Sequence, residues 1–189
     1  MSERTLYDKV WDRHAVQTLP NGQDQLFIGT HLIHEVTSPQ PFSELRERGV
    51  DVAFPKRNVA TTDHIIPTDP ATRDERPLED ENAEQMLSAL EHNTEQSGIT
   101  FYGLNSDRQG IANVIRPDGA ATQPRTTILR RDSHTPPPGP SCALAFGSGT
   151  SPVRHVPASR RLPADHSDTR RVDLPRARPP PTSTHDRPR

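Results

Sequence analysis

Two places in the chain set a carboxylate beside an imidazole just past an apolar or β-branched run. Asp63 and His64 are adjacent in VATTDHIIPT, and Asp132 stands two residues before His134 in TTILRRDSHT. An imidazole titrates near neutral pH, and a neighbouring carboxylate orients it and favours its charged form. Such a couple is a proton donor for a departing group. Two of them where strands would end and a pocket could open point to acid–base chemistry on a small anionic molecule. The same pairing also arises as a plain surface hydrogen bond, and spacing alone does not separate the two readings. Ser133 lies next to His134, but neighbours on a strand or turn point apart and no elbow glycines flank it, so a serine hydrolase is not indicated.

Short apolar runs and helices must position these residues. RTLYDKVWDRHAV places Leu6, Val10 and either Trp11 or His14 at helical spacing. Leu26–Ile28 and Leu32–Ile33 flank Gly29 and read as one strand with a bend. Ser38, then PQPFSELRER, then Gly49 mark a helix, with Ser38 as its cap, proline in the first turn and glycine at the end. Val50–Phe54 and Asn58–Thr62 read as strands, and Glu81–Ser97 as a helix that carries Met86, Leu87 and Leu90 on one face and stops at Gly98. Ile99–Tyr102, Ile111–Ile115 and Thr126–Leu129 are further short strands. Helices alternating with such strands predict an α/β domain with a largely parallel sheet, in which ligands gather beyond the carboxyl ends of the strands.

Composition divides the chain. Hydrophobic residues make up only 30% of its 189 residues and mean hydropathy is −0.84, below an ordinary globular domain. Residues 136–189 hold 12 of the 21 prolines and nine Arg against four Asp, a charge of +5 that leaves −7 on residues 1–135. From Ser159 onward proline recurs and no periodicity survives, so residues 159–189 are expected to be a disordered basic tail behind a domain at 1–158. The abrupt change resembles what a shifted reading frame of GC-rich DNA produces. Arginines spaced along such a tail can neutralise phosphates, but without aromatic residues to stack on bases a nucleic-acid role is weakly supported. One cysteine, Cys142, cannot form an internal disulfide. With no signal-peptide core and no apolar run of about 20 residues, the expectation is a cytoplasmic chain with no membrane contact.

Several stretches, in order, carry a family resemblance: TLYDKVWDRH near the start, HLIHEVTSPQPF at 31–42, ATTDHIIPT at 60–68, RQGI at 108–111, RDSHT at 131–135 and ALAFGSGTSPVRHV at 143–156. Together they resemble the first third of the large subunits of 3-isopropylmalate dehydratase, in the aconitase superfamily. The resemblance implies an incomplete three-layer α/β/α domain. The activity it implies is interconversion of 2- and 3-isopropylmalate by loss and return of water, in leucine biosynthesis, with homoaconitase and aconitase as related alternatives. It implies a [4Fe–4S] cluster as Lewis acid and a small-subunit partner in the intact enzyme. By position, Asp63 with His64 and Asp132 with His134 match the acid–base pairs, and Gln40 and Ser133 match residues that hold the substrate. Asn113 stands where the family has a histidine, Arg130 and Arg131 where it has Cys-Gly, and PPPGPSC replaces a glycine-rich stretch. The family's three cluster cysteines have no counterpart here, and Cys142 matches none of them, so no metal is expected on this chain and it is expected to be inactive alone.

Overall fold

The computed structural model describes residues 4–67, 69, 76–112, 123–130, 142–147 and 156–169. In chain order these contain α1 (Leu6–His14), β1 (Ala15–Thr18), β2 (Asp24–Phe27), β3 (Thr30–His34), α2 (Pro39–Glu47), β4 (Asn58–Thr61), α3 (Glu81–Ser97), β5 (Thr100–Tyr102), β6 (Thr127–Arg130), β7 (Leu144–Gly147), a single helical turn α4 (Val156–Ser159) and β8 (Arg161–Ala164). Five strands form a parallel sheet in the order β5-β4-β3-β6-β7. This is the doubly wound order, in which the chain steps outward from β3 on one side and then restarts at β6 on the other. The fold is an α/β domain with helices flanking a parallel sheet.

Alternation along the strands sends successive side chains to opposite faces. Ile33 and Ala60 meet α2 and α3 through Phe42, Leu45, Leu90 and Ile99. Leu32 turns the other way, toward Ile128 and Ala112. Leu90 is fully buried at the centre of the first cluster. We expect Leu90→Ala to cost about 3 kcal/mol, from lost transfer energy plus the cavity left behind, read by urea unfolding.

The ends of α3 lie where the sequence puts them. Asp80 accepts from the amides of Asn82 and Ala83 at 2.8 and 3.3 Å, and Gly98 takes the left-handed conformation, φ +65°, that closes the helix. On its exposed side Arg76 bridges Glu84 and Glu91. The Arg76 guanidinium holds the Glu84 carboxyl down at about 2, below its ordinary 4.5. A depressed carboxylate stabilises the fold above its unfolded value and loses that contribution as pH falls through its folded one. Stability should therefore sag between about pH 4.5 and 2, and Glu84→Gln should shallow that limb by no more than about 1 kcal/mol, because the network is surface-exposed. Acid titration of both proteins at fixed urea checks this.

Four expectations are corrected. Leu26–Ile28 and Leu32–Ile33 are not one bent strand. β2 belongs to a second, antiparallel sheet of order β1-β2-β8, and β3 to the parallel one. Gly29 sits between them, where its backbone comes so close to β6 that a Cβ would lie 3.1 Å from the carbonyl of Thr127. Val50–Phe54 is no strand: Val50 and Asp51 are exposed, and Phe54, at φ 52°, leads into a short 3-10 turn at Pro55–Arg57. Ser38 occupies the cap position of α2 but makes no capping bond, and its buried hydroxyl donates instead to the carbonyl of Glu35 at 3.3 Å. Last, the domain does not end at 158. Arg161–Ala164 pair with β2, Leu162 is buried, and Arg160 is fully buried, so the first residues of the expected disordered tail are part of the fold. Proline at 163 is compatible because β8 is an edge strand, paired only with β2. Ile111 lies in no strand, and the remainder of the Ile111–Ile115 segment from 113 on falls outside the described residues.

Candidate functional site

At a doubly wound sheet's switch point the loops on either side of the first strand diverge and leave a crevice beyond the carboxyl ends. In this fold that crevice lies past β3, between its neighbours β4 and β6. The chain leaves β3 as His34-Glu35, leaves β4 as Thr62-Asp63-His64, and ends β6 at Arg130.

These three strand ends are tied together by named bonds. Glu35 is fully buried, and its carboxylate accepts three consecutive backbone N–H groups: Asp63 on one oxygen at 2.9 Å, and His64 and Ile65 on the other, the latter at 2.9 Å. The Asp63 side chain is 4% exposed and accepts from the Arg130 guanidinium at 2.6 Å and from the amide of Ala112 at 3.1 Å. The RQGI segment closes the same end of β4, since Gln109 donates to the carbonyl of Thr62 at 3.0 Å and Thr61 donates to that of Gly110 at 2.9 Å. The His64 imidazole remains accessible, with its side chain 38% exposed, and stacks on the His34 ring at 4.3 Å and 20°. His34 is held in turn by Thr37, whose hydroxyl lies 3.1 Å from its Nε2.

Asp63 and His64 are therefore together, but not as the sequence suggests. His64 Nδ1 is 3.8 Å from the nearer Asp63 oxygen, beyond a hydrogen bond, while Arg130 holds that same oxygen at 2.6 Å. The carboxylate is committed to the cation first. Gln40 is exposed on α2 and donates to Glu44 at 3.2 Å, a bond along its own helix; no contact joins it to Asp63 or His64 among the described residues. Asp132, Ser133 and His134 lie outside the described residues, as do Asn113 and Arg131.

Sequence reasoning passed over His34, Glu35 and Arg130. A signal for the first two exists: in HLIHEV two polar residues directly follow the apolar centre of a strand that the sheet buries on both sides. Arg130 was legible only as a departure from the family pattern, not as the partner of Asp63.

A cavity of about 320 Å³ opens beside His64, lined also by Ile65, Ile66, Leu78, Glu79 and Asp80. Among the described residues no group of three or more His, Cys, Asp or Glu is arranged to hold a metal ion, and the lone cysteine, Cys142, is exposed. A thiolate-held cluster needs several cysteines, and the sequence has one. Among the described residues no helix is long and apolar enough to cross a membrane.

Known proteins resemble this sequence. The aconitase family (aconitate hydratase) profile matches residues 8–186. Large subunits of 3-isopropylmalate dehydratase are similar along most of the chain. That of Thermosynechococcus vestitus is 54% identical over 174 residues, covering 92% of this chain and 36% of the relative. That of Synechococcus sp. (strain JA-3-3Ab) is 55% identical over 174 residues, 92% of this chain and 37% of the relative. That of Crocosphaera subtropica is 52% identical over 180 residues, 95% of this chain and 38% of the relative. The chain thus spans little more than a third of the length of these relatives. The family match continues past residue 159 to 186 and so takes in most of the proline- and arginine-rich end. Membership also implies a [4Fe–4S] cluster in the intact enzyme. Since the profile matches residues 8–186, nearly the whole sequence, the chain belongs to the aconitase family.

Proposed function

We propose that this chain carries part of the substrate site of a 3-isopropylmalate dehydratase large subunit, with His64 as a proton donor to the departing hydroxyl. The observation that supports this most is the Arg130–Asp63 bond of 2.6 Å. It ties the carboxyl end of β6 to the loop that bears His64. Asp132 is two residues beyond Arg130, within about 7 Å of chain even when fully extended. On this reading the Asp132–His134 couple and Ser133 serve the same substrate as Asp63–His64.

Within that reading each residue has a physical task. His64 is exposed enough to meet a ligand, and an imidazole nitrogen can carry the proton that the departing hydroxyl takes. His34 supports its ring by stacking. Asp63 lies 3.8 Å from the imidazole, too far for a hydrogen bond, and fixes the backbone through Ala112. His134, supported by Asp132, is a second donor or acceptor of the proton; Ser133 and Gln40 contact the substrate, Gln40 only after leaving its bond to Glu44. The cluster, when bound in the intact enzyme, supplies a Lewis acid to the hydroxyl; its thiolates are not among these 189 residues. A small subunit completes the enzyme.

The cavity beside His64 favours an isopropyl group over a third carboxylate. Ile65, Ile66 and Leu78 offer apolar lining, while the Glu79 and Asp80 carboxylates that also line it would repel a further anion. Calorimetric titration of the chain with 3-isopropylmalate and with citrate tests the reading. Saturable heat with 3-isopropylmalate and weaker or no heat with citrate is expected. Preference for citrate, or no heat with 3-isopropylmalate at millimolar concentration, would refute it. A nucleic-acid role for the basic end loses ground, because Arg160 is fully buried and unavailable to phosphates.

A further inference from the structure

Glu35 is a buried carboxylate at the end of the central strand of the sheet, and its two oxygens are taken up by three backbone donors. No cation pairs with it among the described residues. The three donors are successive: the amides of Asp63, His64 and Ile65. Successive amides that converge on one acceptor must share a curled backbone, so Glu35 dictates the path of those three residues and not merely one contact. Two of the three carry the candidate acid–base side chains. The carbonyl of Glu35 also receives the Ser38 hydroxyl at 3.3 Å, which fixes the strand end from the other side.

Three backbone N–H bonds take about three of a carboxylate's roughly four acceptor sites, and Glu35 is fully buried, which argues against it as an acid or base in its own right. We propose that Glu35 is a positioning residue. It holds the 63–65 loop so that the His64 imidazole faces the cavity, stacked on His34, while the Asp63 carboxylate turns inward to Arg130. The role rests on the dehydratase reading only for what the positioned imidazole does; the positioning itself is a property of this chain.

The pattern of bonds makes the test specific. In Glu35→Gln the amide oxygen can keep the seat that serves His64 and Ile65, whereas the NH2 group would confront the Asp63 amide with a second donor. In Glu35→Ala all three amides lose their acceptor. Hydrogen exchange by NMR on the full chain should first show the 63–65 amides of the unmutated protein protected as well as the β4 amides at 58–61; unprotected 63–65 amides would already overturn the proposal. In Glu35→Gln the Asp63 amide should exchange about ten-fold faster, with Ile65 changed far less, and in Glu35→Ala all three should accelerate about ten-fold beyond β4. The His64 ring resonances, displaced by the stacked His34 ring, should move toward random-coil positions in both variants and stay put in Leu90→Ala, which weakens the fold elsewhere. Uniform acceleration across the sheet, or an unmoved His64 signal, would show that Glu35 is only part of the packing. Should Glu35→Ala not fold, the contrast between Asp63 and Ile65 in Glu35→Gln decides alone, and should neither fold, the protection pattern of the unmutated chain does.

Adding 3-isopropylmalate to the unmutated sample separates the two claims. If His64 ignores the ligand while the exchange pattern holds, the substrate reading falls and the positioning role stands. If His64 responds but the exchange changes are uniform, only the positioning role falls.

Discussion

Asp63→Ala should destabilise the chain by about 3–5 kcal/mol, the largest effect expected of any change at the crevice. The Arg130 side chain is 3% exposed, and its guanidinium donates to Asp63 at 2.6 Å. Removing the carboxylate leaves a buried cation deprived of that countercharge, and the Ala112 amide loses its acceptor as well. The converse change, Arg130→Met, is expected to cost less, about 1–2 kcal/mol. Asp63 keeps the Ala112 amide, and a thioether chain of similar length fills the space. Urea unfolding of the two single variants and the double variant gives the coupling directly. The double variant should be more stable than the sum of the singles implies. Additive losses would mean that the short bond contributes nothing to the link between β6 and the His64 loop.

Arg160→Met should rank second, lowering stability by about 3 kcal/mol and the melting temperature by about 10 °C. The guanidinium donates to the carbonyl of Gly29 at 2.7 Å, to the Asn58 side chain at 3.0 Å and to the carbonyl of Arg57 at 3.3 Å. Its own backbone carbonyl accepts from Ile28 at 2.8 Å. One residue thereby fastens β8, the start of β4 and the turn between the two sheets. Burial pushes its guanidinium down to about 10, a sign of how much desolvation these oxygens offset. With methionine in its place, the Gly29 carbonyl and Asn58 amide lose a partner in a dry setting. Calorimetric melting of the full chain checks this. A change below about 1 kcal/mol would mean that water replaces the side chain without cost.

Arg160 also shows where sequence reading stops. RRLPADHSD is polar, proline-bearing and aperiodic, the composition of a solvated segment, yet Arg160 and Leu162 are core residues and Arg161–Ala164 form a strand. Four residues of edge strand need only one buried side chain, Leu162, and a run so short carries no detectable period. By contrast α3 was legible to the residue, because its start and stop each rest on a local device: an aspartate that accepts from the first amides and a glycine that adopts positive φ. The parallel sheet was legible from runs such as HLI and TIL, buried on both faces. Asp63 and His64 were visible as a pair, but their division of labour was not. Whether a carboxylate turns to the adjacent imidazole or to an arginine on another strand depends on strand order, and β6 lies 67 residues away in sequence. Glu35 was hidden for the same reason: its partners are the backbone of a loop 28 to 30 residues on.

On the proposed reading His64 and His134 serve one small dicarboxylate with an apolar branch. Carbon-13 labelling of the histidine rings, followed by NMR during a 3-isopropylmalate titration, tests it most directly. The signals of His64 and His134 should both move, saturably and with a common midpoint, while that of His92 on α3 stays fixed. Movement of one ring without the other, or of the two with different midpoints, would contradict a shared site.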